Sequence, residues 1–290
     1  MTTQLFDDRD CFLGEGPLWH PTREQLFWFD IVNRTLLTSK DGKTDAWTFD
    51  EMVSAAGWLD DSRLFIASET GFLDFNIDTG DHTRVGDLEA DMPLTRSNDG
   101  RADPWGGFWI GTMGKKSEPG AGAIYRYYRG EVRKLFPDIT IPNAICFAPD
   151  RSYGQFADTR TSVVYRVALD PKDGWPVGEP GIFLDLSEER LNPDGAVIDA
   201  SGLTWIAQWG AARVAAYAPD GQFVDAIGFA APHTSCPAFG GPDLSTIFCT
   251  TAKEGLDAGA LERHPQSGMT FMAQTYAKGQ AEHQVTLSSD

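Results

Sequence analysis

Short apolar runs of about five residues alternate with clusters of Gly, Pro, Asp and Asn along most of the chain. One phrase recurs. Its clearest copy runs from Asn98 to Met113, where a polar residue is followed by an apolar alternation, a tight turn and a second apolar run ending in small residues. Similar units lie at Gly14–Ile31, Ser54–Thr70, Asn143–Thr159, Asp194–Trp209 and Pro237–Ala252. One position in each second run (Phe27, Phe65, Trp109, Gly154, Trp205 and Phe248) marks spacings of 38, 44, 45, 51 and 43 residues. Short strands and turns repeating at about forty residues are the mark of a β-propeller. Six copies predict an all-β, six-bladed β-propeller with four-stranded blades around a central channel.

The repeat also places the remaining segments. Leu5, Phe6, Cys11 and Phe12 give the N-terminus strand character, and such a strand completes the last blade, hiding edges that an open sheet would expose. His20–Gln25, Asp60–Ser62, Pro149–Arg151 and Ser201–Gly202 are turns within the units, and Glu254–Pro265 reads as a loop with one helical turn. A blade cannot bury both faces of its sheet alone, so large apolar residues belong between blades. Trp19, Trp58, Trp109, Trp205 and Phe248 are assigned there.

Composition agrees with this picture and narrows the partners. A single domain spanning residues 1–290 is compatible with an all-β closed fold, and 30 Gly, 17 Pro and 9 Trp suit a turn-dense β protein. The net charge of −18 repels phosphate backbones and anionic lipid surfaces, which excludes nucleic acid and membranes as expected partners. Met1–Asp10 has no apolar core of a signal peptide, no window approaches ~20 apolar residues, and the four cysteines show no CxxC pair. A cytoplasmic protein with reduced thiols, monomeric or weakly homo-oligomeric, is expected.

Equivalent positions in a propeller lie at one height around the axis. Eleven residues before the marked positions stand Ser54, Asn98, Asn143, Asp194 and Pro237; blade one has a turn one residue longer, and twelve back is Glu15. Glu15, Asn98, Asn143 and Asp194 are therefore predicted to converge on the channel from four blades. Such a set supplies only oxygen donors to a cation, which suits a hard ion such as Ca²⁺, Mg²⁺ or Mn²⁺. Two carboxylates on one axis would otherwise repel each other and raise each other's proton affinity. Any one of these residues could instead bond neighbouring backbone at a strand start. The histidines form no HxH or HExxH spacing, no GxSxG elbow is present, and Gly14-Glu15-Gly16 lacks a dinucleotide-binding continuation.

The chain resembles the SMP-30/gluconolactonase (regucalcin-like) family from about Leu13 to Ala252. Leu13-Gly14-Glu15-Gly16-Pro17-Leu18-Trp19, Arg96-Ser97-Asn98-Asp99-Gly100, Gly111-Thr112-Met113 and Pro193-Asp194-Gly195 carry the resemblance. It implies a six-bladed propeller that binds one divalent cation and hydrolyses sugar lactones. By motif its metal ligands fall on Glu15, Asn143 and Asp194, and its substrate-contacting residues on Arg96 and Asn98. The family's cation is described variously as calcium, zinc, magnesium, manganese or iron; oxygen-only donors favour calcium. Asp99 either orients Arg96 or caps the turn. The chain departs from the family at Ala144, where glycine is usual, at the polar Tyr153-Gly154-Gln155-Phe156, and at Lys115-Lys116, where an acidic residue is common.

The expected activity is hydrolysis of an aldonolactone such as gluconolactone or a pentonolactone, with Asp194 as metal ligand and general base. The alternatives are an esterase or phosphotriesterase using the same cation, or a non-enzymatic calcium-binding propeller.

Overall fold

The computed structural model describes residues 2–287. Its strands form six four-stranded antiparallel sheets. Five are built from consecutive strands, and the sixth takes its outermost strand, Thr3–Asp7, from the N-terminus, paired with Thr270–Gln274. The expected ring closure is thus made by strand pairing between the two ends of the sequence. The first strands of the sheets (Gly14–His20, Val53–Asp60, Thr95–Ala102, Pro142–Phe147, Asn192–Ile198 and Thr234–Gly240) pack against one another around the axis. The one helix among the described residues, Ala258–Arg263, is capped by the Asp257 side chain, which accepts from the Ala260 N–H. No described helix is long and apolar enough to cross a membrane.

The core divides into six clusters, each joining neighbouring blades. Phe29 and Leu36 of the first blade meet Leu64 and Phe75 of the second, and Leu26 and Trp28 close the ring against Phe248 of the sixth. Trp109 and Trp205 lie fully buried at such interfaces. Trp19 is half-buried and stacks on Phe248 with centroids 5.5 Å apart. Trp58 is also half-buried, its indole N–H donating to the Glu282 carbonyl.

That last bond belongs to a feature with no counterpart in the repeat. After the last strand, the C-terminal segment runs across the mouth of the channel where the innermost strands end. Gln280 donates to the carbonyls of Phe147 and Ile198. Glu282 pairs with Arg101. Val285 and Thr286 donate backbone bonds to Trp58 and Gly106. One end of the channel is therefore closed by the chain itself, and access is left at the end where the innermost strands begin.

Across each innermost hairpin the marked residues face Leu18, Gly57, Arg101, Phe147, Val197 and Ala238. The hairpin from Ala238 to Phe248 is two residues longer than that from Gly57 to Phe65. Counting a constant number back therefore misplaces the sixth blade. Ser235, not Pro237, stands level with Ser54, Asn98 and Asp194. The Tyr153–Asp158 strand, polar in sequence, is paired with Val163–Ala168 at all six positions. Its Gly154 makes room for the Phe147 ring, 3.3 Å from where a Cβ would stand.

Candidate active site

Each innermost strand breaks its ladder near the open mouth. Pairing is regular up to Glu15, Ser97, Asn143, Pro193 and Thr234, shifts over the next two residues, and then resumes. A bulge of this kind re-aims side chains. In two blades the residue after the expected ligand is left-handed: Gly16 at φ 53° and Ala144 at φ 55°. Alanine thus adopts a conformation that favours glycine, at a cost of about 1 kcal/mol. Gly16 has no such latitude, because a Cβ there would run into the Ser54 carbonyl oxygen.

The bulges bring Glu15, Arg96, Asn98, Asn143 and Asp194 together in one cleft of about 340 Å³. All five side chains are buried. A hydrogen-bonded chain links Arg96, Asn98 and Asn143. Arg96 Nη1 donates to the Ser97 carbonyl at 2.9 Å and to Asn98 Oδ1 at 2.8 Å. Asn98 Nδ2 donates to the Pro142 carbonyl at 2.9 Å and to Asn143 Oδ1 at 3.0 Å. Asn143 Nδ2 donates to Thr159 Oγ1 at 2.7 Å, and that hydroxyl donates to the Pro193 carbonyl at 2.6 Å. Three blades are thereby fixed relative to one another. Asn143 Oδ1 keeps a second lone pair for a ligand.

The two carboxylates are held differently. Among the described residues neither Glu15 nor Asp194 has an ion-pair partner within 4 Å. Burial and repulsion from Asp99 push Glu15 up to about 8, against a bond from the Gly16 N–H at 3.0 Å. Burial and the Glu15 charge raise Asp194 well above the usual carboxylate range. Burial lowers the pKa of Arg96, and Glu254, Glu15 and Asp194 oppose that shift. Two buried, mutually repelling carboxylates beside an amide oxygen suit a divalent cation bound through oxygen. No three His, Cys, Asp or Glu side chains form a metal cluster among the described residues, and the third donor of this set is the amide of Asn143.

Asp99 lies elsewhere. Its Oδ2 accepts from the Ile145 N–H at 2.7 Å, inside the bulge of the next blade. It is buried, its carboxyl pushed up to about 6 by that burial, and it does not line the cleft. The bond runs to the backbone of the neighbouring blade, and no hydrogen bond joins Asp99 to Arg96 among the described residues. Lys115 turns towards Glu69 and the Pro93 carbonyl, and Ser117, left-handed at φ 56°, lines the cleft in that loop.

The cleft also contains residues that the sequence reading passed over. Leu13, Ile141 and Asn192 line it, as does Arg96. Each precedes Glu15, Asn143, Asp194 or Asn98 by two, and side chains two apart share one face of a strand. Met113 and Trp209 are their cross-strand neighbours, opposite Arg96 and Asn192. The repeat therefore held the signal, at the position two residues earlier. Glu254 comes from a loop outside the repeat. His233 stacks on Trp209 at 4.1 Å, with Nδ1 2.8 Å from the Glu254 carbonyl.

Comparison with known proteins places this architecture. A "Putative sugar lactone lactonase" of Rhizobium meliloti is 40% identical over 93% of this chain and 92% of its own. A 6-deoxy-6-sulfogluconolactonase of Pseudomonas putida is 32% identical over 93% and 94%. The crystal structure of a calcium-binding protein, regucalcin, from Agrobacterium tumefaciens superposes with a TM-score of 0.97 at 40% identity, covering 99% of this chain and 98% of that one. Residues 13–253 match the SMP-30/Gluconolactonase/LRE-like region. With this match along the chain and the six-bladed ring it folds into, the protein belongs to the SMP-30/gluconolactonase/LRE-like family.

Proposed function

We propose that this protein hydrolyses sugar aldonolactones to aldonic acids with the help of one divalent cation. The observation that carries the reading is the buried oxygen set of Glu15, Asn143 and Asp194 at the end of a cleft walled by Arg96 and Asn98. The sugar lactone lactonase name of the Rhizobium meliloti relative supports the substrate class.

Glu15, Asn143 and Asp194 would hold the cation, with calcium favoured by oxygen-only donors and zinc, magnesium, manganese and iron as alternatives. When bound it supplies Lewis-acid polarisation of the lactone carbonyl. The chain supplies the rest. Arg96 donates to oxygens of the sugar, with its guanidinium held in place by Asn98 Oδ1 and the Ser97 carbonyl. The Asn98 amide, tied to Pro142 and Asn143, fixes the height of that wall. Asp194 orients the attacking water and takes its proton, a role open to a carboxylate placed beside the cation. The water oxygen bonds to the carbonyl carbon, the ring C–O bond breaks, and the proton taken by Asp194 passes to the leaving ring oxygen, giving a free hydroxyl and a carboxylic acid that ionises to the carboxylate.

The experiment is a pH-stat panel of aldonolactones, aryl esters and organophosphates on metal-stripped protein reloaded with Ca²⁺, Zn²⁺, Mn²⁺, Mg²⁺ or Fe²⁺. Lactones should give the highest kcat/KM, and Asp194→Asn should abolish turnover. Faster turnover of aryl esters or organophosphates would move the assignment to those substrates. Metal uptake without turnover of any substrate would make the protein a cation-binding propeller. Near-normal activity of Asp194→Asn would remove Asp194 as the base.

A further inference from the structure

The cleft has a second arginine. Arg160 lines it and is exposed, so it stands at the rim, whereas Arg96 is buried deeper. Its backbone is fixed. The Arg160 N–H donates to Asp158 Oδ1 at 3.1 Å. Thr159, the residue before it, bonds Asn143 on one side and the Pro193 carbonyl on the other. The base of the Arg160 side chain is thus held rigidly relative to the expected cation ligands.

Its guanidinium is free. Among the described residues no carboxylate lies within 4 Å of it. Asp158, the nearest acid in sequence, is turned inward, accepting from the backbone N–H groups of Thr140 and Ile141 at 3.0 Å each and of Arg160. Arg160 is thus an unneutralised arginine on the wall of the candidate active site, in a chain of net charge −18. The other charged side chains of the cleft are Glu15, Asp194, Glu254 and Arg96. Arg96 is already engaged with Asn98 and lies deep enough to serve the reacting end of the substrate. Arg160, at the mouth, is placed for the far end.

We propose that Arg160 selects sugar lactones carrying an anionic substituent (carboxylate, sulfonate or phosphate) on the carbon chain remote from the lactone carbonyl. The planar guanidinium matches the paired oxygens of all three groups. This rests on the lactonase reading above and names the substrate class within it. Arg160 is a binding residue for the far end and takes no part in bond breaking.

The test compares gluconolactone with 6-phosphogluconolactone and with the lactone of glucaric acid, for the metal-loaded native enzyme, Arg160→Gln and Arg160→Lys. The native enzyme should prefer the anionic lactones by about tenfold or more in kcat/KM, the range of a charged hydrogen bond. Arg160→Gln should erase that preference through KM, raising KM by about tenfold or more for the anionic lactones relative to gluconolactone, while Arg160→Lys keeps part of the preference. Raising ionic strength from about 0.02 to 0.2 M should weaken the anionic substrates alone. Equal use of neutral and anionic lactones by the native enzyme, or an equal loss on both in Arg160→Gln, would overturn the proposal while leaving the lactonase reading intact. Failure to turn over any lactone would remove the reading itself.

Discussion

The cost of holding two carboxylates beside each other in the cleft can be measured through Glu15→Gln. Glutamine keeps the side-chain length and an oxygen for the Gly16 N–H, but it cannot ionise. Burial lifts Glu15 from an ordinary 4.5 to about 8. The folded state therefore holds this proton more tightly than the unfolded chain does. Without metal, stability falls as pH rises from about 4.5 to about 8 and levels off above that. At 1.36 kcal/mol for each pH unit, that interval amounts to about 5 kcal/mol. This is an upper figure, because Asp194 shares the repulsion and ionises alongside it. About half should appear as a gain in Glu15→Gln over the native protein at pH 9 in chelator, and none at pH 4. A bound cation reverses the order, since it needs the ionised carboxylate. Urea unfolding followed by the fluorescence of the nine tryptophans, at pH 4 and 9 with and without metal, reads all four combinations. Parallel pH slopes for the two proteins would refute the reasoning, as would equal metal stabilisation of both.

Metal uptake near pH 7 should also release protons, because the metal-free Glu15 is largely protonated there; isothermal titration calorimetry in buffers of different ionisation enthalpy counts them. Arg96→Ala should raise KM for aldonolactones by about tenfold or more, the loss of a charged hydrogen bond, and a change confined to kcat would assign Arg96 to the reacting atoms instead. Gly16→Ala should destabilise by more than about 2 kcal/mol, since it adds left-handed strain to a collision with the Ser54 carbonyl, and a thermal melt within error of native would contradict this. Asp103→Ala should destabilise by about 3–5 kcal/mol in urea. It would leave the fully buried Arg126 guanidinium, which lies over the Tyr128 and Trp175 rings, without its carboxylate.

The reach of the repeat can be judged from single residues. Glu15, Asn98, Asn143 and Asp194 were legible as a convergent set because their hairpins differ little in length, and blade four makes good its shorter turn with an extra residue before Phe147. Pro237 was misplaced because the sixth hairpin is longer, and a count along sequence cannot see where pairing resumes. Trp209 and Asn192 were missed although the strand period placed them on the face next to Asp194. The bond from the Ile145 N–H to Asp99 could not be anticipated, because it joins neighbouring blades 46 residues apart in sequence. Glu254 and the C-terminal closure lie outside the repeat, where the sequence has no internal comparison to offer.

The sequence by itself determined the number of blades, the height of the expected ligands and the family, because all three depend on local alternation and on a period that recurs six times. Tertiary structure decided which mouth of the channel is open, which carboxylates stand without a partner, and that Arg160 is free at the rim while Asp158 is not. Those features depend on segments far apart in sequence meeting across the ring: Val285 on Trp58, Asn98 on Asn143, Thr159 on Pro193. Contacts of that kind follow from closure of the propeller, and no local pattern encodes them.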